Sequence, residues 1–350
     1  MQNKIKLLHL ITGLGCGGAE KMVYQLCKYH DRNKFDISVI SLDNTDYFIP
    51  KFKSLNLKII SLGIDKSSFS FIKGVLWLNK FISQNKIQII HAHLFHAMIM
   101  ACIVKVYKPS LKIIWTGHNS KMISIWRSII TFVSRYARDH DILLQKQLKL
   151  WYNSSIISII PNGIEFPEEY QSAQKFNNFT FISVGSLEKQ KNHIFLIELF
   201  YKIKNSTLNL NILGNGSEYK YLQSRIDTLG LSERVKLLGH REDVHELMQQ
   251  SHCFLLPSLW EGLPLVILEC AQVKIPIIAS SIISIRDLIS EDEGYVVPLE
   301  QFETAINRVI ENYSDASKKA NKFYNRVKQD YSIETCIQKH EHLYEMVLNV

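Results

Sequence analysis

Two carboxylates are the first residues whose spacing suggests chemistry. Glu261 and Glu269, with seven residues between them, lie in PSLWEGLPLVILECA, directly after the short apolar run CFLLP. Pro264 fits the first position of a helix, where its missing N–H costs nothing. A helix opening there presents unpaired backbone N–H groups and the positive end of its dipole, a natural seat for a phosphate. One carboxylate before that turn and another about one turn inside can hold hydroxyls on either side of the phosphate. The competing reading is a capped helix with one exposed and one structural glutamate.

A second candidate lies near the start. Gly13, Gly15 and Gly18 satisfy G-x-G-x-x-G between the apolar run KLLHLIT and the helical stretch AEKMVYQLCKYH, and Asp43 ends the next apolar run. That is the dinucleotide fingerprint, so an NAD-dependent oxidoreductase using residues 13–18 stands as an alternative. The glycines by themselves require only a close approach by a ligand or by backbone, or a tight turn. His91, His93 and His96 form a third candidate set. The first two face one side of a strand, but no nearby carboxylate or thiol completes a ligand set, and no metal is expected.

Thirteen short β-branched runs, among them DISVISL, IQIIHAH, FTFISVG and IPIIAS, alternate with helical stretches and must position these residues. This is the pattern of α/β, doubly wound parallel sheets, whose ligands sit beyond the carboxyl ends of the strands. The aperiodic segment 161–178, rich in Pro, Asn and acids, reads as a linker. The expected organisation is a first domain over 1–163, a second over 164–330, and a last helix over 331–350. That helix's docking site is open, with packing back onto the first domain as one option. The six cysteines are scattered without zinc or disulfide spacing, which suits a reducing compartment. Ile87–Val104 lacks formal charge but contains Gln88, His91, His93 and His96, so it reads as a strand and a buried helix and not as a membrane span.

Charge divides the same way. Residues 1–163 hold 22 Lys and Arg against 8 Asp and Glu, whereas residues 164–350 hold 19 against 25. The basic half is expected to meet an anionic partner. No nucleic-acid motif accompanies the charge, so nucleic acid is not the expected one.

The ordered set of motifs resembles family 4 of the retaining glycosyltransferases, with the GT-B fold of two Rossmann-like domains facing across a cleft. It comprises the E-x7-E pair, Gly17-Gly18-Ala19-Glu20, His91-Ala-His93, Thr116-Gly-His118, Pro161-Asn162-Gly163-Ile164, Gly185 with Lys191-Asn192, Leu213-Gly214-Asn215-Gly216, and Gly294-Tyr295. The resemblance covers nearly the whole chain. It implies a metal-independent, cofactor-free enzyme that moves a sugar, with retention, from a UDP or GDP sugar to a glycan or polyprenyl-lipid-linked acceptor in cell-surface polysaccharide or lipopolysaccharide synthesis.

Site residues follow from the same resemblance. Glu261 and His118 would be catalytic, Glu261 near the anomeric centre and His118 facing the donor sugar. Glu269 would bind the ribose. Lys191 would neutralise the diphosphate, with Ser186 standing where the family commonly has an Arg and Lys189 a possible substitute. Gly17 and Gly18 would admit the diphosphate, and Gly214 and Gly216 the nucleotide. Asp243 would lie beside the base, and Gly262, Leu263, Pro264 and Leu265 would offer backbone N–H groups. On the acceptor side stand His93, Asn119 and Arg127. Ser280 replaces a frequent Asp.

The missing Arg leaves a non-catalytic GT-B-like binding protein as a further alternative. Asp139-His-Asp141 has the D-x-D spacing of metal-dependent glycosyltransferases but precedes a strand, so it reads as a solvated charge pair. Segment 120–141 is either a core helix with a basic solvent face or an acceptor-side helix against anionic lipid, with Trp126 and Phe132 at the interface. The expected location is cytoplasmic, extending to a peripheral position on the inner face of the cytoplasmic membrane.

Overall fold

All thirteen apolar runs form strands in a computed structural model of the chain, which describes residues 4–349 apart from 16, 46, 66, 118–124, 146–155, 167–172 and 204. The chain divides into two compact units, residues 1–163 with 333–350 and residues 164–332.

The first unit carries strands β1 (Ile5–Ile11), β2 (Phe35–Ser41), β3 (Lys58–Ser61), β4 (Ile89–His93), β5 (Lys112–Gly117), β6 (His140–Leu143) and β7 (Ile157–Ile159). They form one parallel sheet in the order β3-β2-β1-β4-β5-β6-β7, with Ile5 opposite Phe35 and Ile11 opposite both Ser41 and His93. Strands buried on both faces have no polar face to alternate with, which is why they read as continuous apolar runs. Right-handed crossovers put α1 (Gly18–Tyr29) and α2 (Ile49–Lys53) on one face, and α3 (Ser68–Asn85), α4 (Phe95–Tyr107) and α5 (Ile125–Ser134) on the other. Helix α3 starts where Ser67 Oγ accepts the Ser70 N–H and stops where Lys86 turns left-handed.

In the second unit the strands are β8 (Thr180–Val184), β9 (Asn209–Leu213), β10 (Val235–Gly239), β11 (Cys253–Leu256), β12 (Ile277–Ser280) and β13 (Tyr295–Val297), paired in parallel as β10-β9-β8-β11-β12-β13. Between them run α6 (His193–Lys202), α7 (Tyr219–Thr228), α8 (Val244–Gln250), α9 (Leu265–Gln272) and α10 (Ile283–Arg286). Helices α11 (Phe302–Glu311) and α12 (Tyr313–Asp330) follow β13. Phe181, Phe200, Leu210 and Phe302 lie together in this unit's core.

The last helix, α13 (Ile333–Leu348), belongs to the first unit. Its Ile333, Ile337, Leu343 and Tyr344 share a core with Leu7, Ile11 and Ile89 of the sheet and Leu26 of α1. The Tyr344 hydroxyl hydrogen-bonds His91 Nδ1 at 2.8 Å, and Glu341 Oε1 accepts the Asp31 N–H at 2.8 Å.

Two local expectations fail here. Pro264 is the N-cap of α9 with ψ 100°, one position before the helix, which opens on Leu265. Asp141 is not solvated: it is 1% exposed and held by one guanidinium edge of Arg138, through Nε at 2.6 Å and Nη2 at 2.9 Å. Asp139 accepts the Ile113 N–H and pairs with Lys105 and Lys112. A carboxylate at a strand end that satisfies neighbouring backbone and cations is part of the fold, whatever its spacing.

Candidate active site

Both sheets reverse their strand order in the middle, at β1/β4 and at β8/β11. Loops diverge at such a point and leave a crevice at the carboxyl ends of the strands.

At the second switch point the loops after β8 and β11 are tied together. Backbone N–H of Leu259 donates to Gln190 O at 2.9 Å, and Asn192 Nδ2 to Pro257 O at 3.2 Å. Asn192 is left-handed, with φ 54°, and this turn starts α6 while directing Lys191 back over the strand ends. Lys191 Nζ lies 2.5 Å from Glu261 Oε1, the two side chains 14% and 7% exposed. The same oxygen accepts the Ser258 hydroxyl at 2.7 Å, while Gln190 Nε2 donates to Glu261 Oε2 at 3.3 Å and to Trp260 O at 2.8 Å. Ser280, at the end of β12, donates its hydroxyl to Ser258 O at 2.6 Å. Three donors, from Lys191, Ser258 and Gln190, thus converge on a buried carboxylate whose oxygens would otherwise lack partners.

Beside it, His193 opens α6, fully buried, with Nδ1 3.3 Å from Ser183 Oγ. Burial, and then the Lys191 ammonium, push its imidazole down to about 4, so the ring is neutral at pH 7. Gln190, Ser258 and His193 were not among the residues singled out in the sequence. Ser258, three positions before Glu261 on the same loop, was the detectable one, since a hydroxyl at that spacing can reach back.

The remaining candidates of this unit divide by what they touch. Glu269 sits half-buried on α9 beyond the Gly262–Leu265 turn. Gly214 has φ 138°, and a Cβ there would overlap the Gly185 carbonyl; a Cβ on Gly216 would strike the Leu187 backbone. Both glycines therefore answer first to packing between the loops after β8 and β9, which Gly185 N–H to Leu213 O and Leu187 N–H to Asn215 O hold at 3.0 and 2.9 Å. Ser186 and Lys189 are exposed on that loop. Asp243 stands at the N-cap position of α8 without a side-chain capping bond, because Arg241 holds its carboxylate in two bonds, at 2.8 and 2.5 Å.

At the first switch point, Gly17 is the N-cap of α1 and Gly18 its first residue. The Glu20 carboxylate folds back against Gly17, and burial raises its pKa above the ordinary range. Asp43 is turned into its own loop. Its Oδ1 accepts the Thr45 N–H at 3.0 Å and the Thr45 hydroxyl at 2.5 Å, and this pair packs against Gly13. The fingerprint's acid is thus engaged by protein.

His93 ends β4 beside Ile11, yet its ring is 1% exposed and Nε2 lies 3.1 Å from His9 Nδ1, so it is turned into the layer of α1 and α13 and away from the crevice surface. His91 is bonded to Tyr344 through Nδ1 and to Thr116 Oγ1 through Nε2, at 2.6 Å. Among the described residues, His9, His91 and His93 are the group whose potential ligand atoms converge, within 4.8 Å. The third member is therefore His9 from the neighbouring strand and not His96, which is exposed on α4. Burial keeps His9 well below the usual imidazole range. Arg127 lies half-buried on α5 with its guanidinium 5.1 Å over Phe95. His118 and Asn119 lie outside the described residues.

Two Rossmann-like domains, with a buried Lys–Glu pair beside a helix opening at one switch point, define a GT-B glycosyltransferase. The chain belongs to glycosyltransferase family 4: its residues 16–166 match the family's own sequence model and residues 166–330 that of glycosyl transferases group 1. It is 26% identical to the UDP-Gal:α-D-GlcNAc-diphosphoundecaprenol α-1,3-galactosyltransferase of Escherichia coli, covering 99% of this chain and 98% of that one. It is likewise 26% identical to a 4-α-N-acetylgalactosaminyltransferase of Campylobacter jejuni, named for a diphospho-undecaprenol-linked acceptor, over 84% and 86%. In fold it is similar to Anabaena HepE, solved with UDP and glucose, with TM-score 0.83 at 17% identity over 98% of this chain and 100% of that one.

Proposed function

We propose that the protein transfers a sugar from a UDP or GDP sugar, with retention and without metal or other cofactor, to a polyprenyl-diphosphate-linked glycan in the assembly of a cell-surface polysaccharide. The observation that carries this reading is the Lys191–Glu261 pair at the mouth of β8 and β11, next to the opening of α9. A nucleoside diphosphate, with at least two negative charges, offers Lys191 a stronger partner than one carboxylate, and the ammonium on its flexible stem can turn to it. Lys191 then turns to the diphosphate, and Glu261, still held by Ser258 and Gln190, accepts hydroxyls of the donor sugar. Glu269 takes the ribose, and the backbone of Gly262–Leu265 faces the diphosphate. His118, outside the described residues, enters this scheme only through the family resemblance, as a residue that would face the donor sugar.

In the transfer the bond from the anomeric carbon to the β-phosphate oxygen breaks and a bond to the acceptor oxygen forms on the same face. The acceptor hydroxyl proton passes to the departing phosphate oxygen. The nucleoside diphosphate leaves.

The acceptor class is supported by the two relatives named for diphosphoundecaprenol-linked sugars. No helix among the described residues is long and apolar enough to cross a membrane, so in this reading the enzyme meets its acceptor as a peripheral protein. The exposed Ser186 is the one observation that favours a non-catalytic binding protein. Mass-spectrometric screening of UDP- and GDP-sugars against polyprenyl-diphosphate-linked and free glycans decides. A product whose mass rises by one sugar is expected, and donor binding without turnover on any acceptor overturns the catalytic reading.

A further inference from the structure

Helix α5 is built inside out. Its small and polar residues Arg127, Ser128, Thr131 and Ser134 face the protein, with Thr131 buried, the Ser134 hydroxyl 3.7 Å from Met98 Sδ on α4, and Arg127 over Phe95. Ile125, Trp126, Ile129, Ile130, Phe132 and Val133 face outward, the first two 71% exposed. A helix on the surface of a water-soluble domain carries the opposite pattern. The reversal leaves six large apolar side chains facing solvent, the kind of face that an apolar partner covers.

The neighbouring helices continue that face. Helix α3 packs closely on α4, where a Cβ at Gly74 would touch Met100, and it exposes Phe69, Ile72, Leu76 and Trp77 on one stripe. The end of α4 adds Val106 and Tyr107. Of the 23 exposed large hydrophobic residues among those described, thirteen lie on this single helical layer from α3 to the turn at Tyr136. Patches of such extent mark docking sites.

Charge selects the partner. Between Asp65 and Asp139 the sequence contains eleven Lys and Arg and no Asp or Glu, and this stretch encodes α3, α4 and α5. The cations border the apolar stripe: Lys73 lies 4.2 Å over the Phe69 ring, and Arg135 lies 3.9 Å over Phe132 and 4.8 Å over Tyr136. Long basic side chains that lie along aromatic surface with their charge at the rim, next to Trp and Tyr, match the boundary of a lipid leaflet. A second copy would set one acid-free face against another, and like charges would oppose it.

We infer that the outer face of α3, α4 and α5 docks on an anionic lipid bilayer, with the apolar stripe of α5 entering the headgroup–acyl boundary. For its purpose this rests on the polyprenyl-linked acceptor of the preceding section, but its test needs no sugar. Vesicle flotation of the full chain uses phosphatidylcholine with and without phosphatidylglycerol, at low and high salt. The parent is expected to float with anionic vesicles, more weakly as salt rises. The double variants Ile129→Ser/Val133→Ser and Phe69→Ser/Leu76→Ser are expected to lose roughly tenfold or more in vesicle affinity, with thermal melting unchanged because the side chains are exposed. Vesicle addition is expected to blue-shift tryptophan emission, and Trp126→Ser to reduce that shift, with Trp77 on α3 supplying the remainder.

Parent and variants that bind vesicles alike, or a parent that binds neutral and anionic vesicles equally at both salts, overturn the inference. So does light scattering that shows a parent dimer, lost in the variants, with no vesicle binding. Vesicle binding in a protein that turns over no nucleotide sugar leaves this face in place and removes the catalytic reading instead.

Discussion

Lys191 and Glu261 are 70 positions apart in sequence and 2.5 Å apart at Nζ and Oε1. Their strands, β8 and β11, are parallel neighbours at the point where the strand order reverses, and that adjacency brings the two loops together. In the proposed function this pair is where a donor's diphosphate and sugar meet the protein. Lys191→Ala, Glu261→Ala and Glu269→Ala are each expected to lower kcat/KM by a factor of roughly 100. Steady-state donor kinetics check this, and three variants with parental kinetics would remove the assignment.

Ser258 acts through Glu261. Its hydroxyl fixes one carboxylate oxygen, and Ser280 fixes Ser258 in turn. A hydrogen bond to a charged group is worth about 1.5–3 kcal/mol, so Ser258→Ala is expected to cost about tenfold or more in kcat, with a smaller change in KM. Ser258→Thr keeps the hydroxyl and should restore most of the loss. A Thr variant as poor as the Ala variant would mean that the site needs only the space.

Two glycines with positive φ separate backbone strain from collision. Gly230 has φ 66° and open space around its missing Cβ, while Gly214 has φ 138° and the Gly185 carbonyl in the way. Gly230→Ala is expected to cost about 1 kcal/mol, and Gly214→Ala about 2–4 kcal/mol. Equilibrium unfolding in urea measures both, and equal losses would show that the loops after β8 and β9 move apart freely.

Acid should weaken the fold through its buried histidines. His193 titrates near 6.5 when unfolded but only at about 4 when folded. Between those values the unfolded chain binds the extra proton, so stability falls as pH falls, by about 2 kcal/mol at pH 5. Burial lowers His9 and His30 as well, and their contribution has the same sign. Thermal melts at pH 7 and pH 5 should show a smaller loss in His193→Leu than in the parent. Equal losses would place the acid sensitivity elsewhere.

The fold was legible because strands of a parallel sheet buried on both faces read as apolar runs, and even the edge strand β3 and the Asn-alternating β9 kept enough apolar residues between turn residues to be read as strands. Glu261 and Lys191 stood out through their motifs. What stayed hidden was side-chain direction. His93 has the right position at a strand end and turns the wrong way, because alternation along β4 sends it with His91 toward α13. Asp141 has D-x-D spacing and is taken by Arg138, a pairing that depends on how the 3₁₀ turn at 135–137 folds back. The glycines at 214 and 216 were read as room for a ligand, and they are needed first as room for a neighbouring carbonyl and backbone. Contacts between loops that are distant in sequence leave no periodicity to detect.

The first unit is begun before the second and finished after it. Its sheet and α1 are made before the second unit, but the layer over His91 and Leu26 is closed by Ile337, Leu343 and Tyr344 of α13, which is made after it. Residues 164–332, one uninterrupted segment, can fold while that face still lies open. A nascent chain that has completed residues 164–332 but not yet α13 therefore still exposes the apolar face that Ile337, Leu343 and Tyr344 go on to cover.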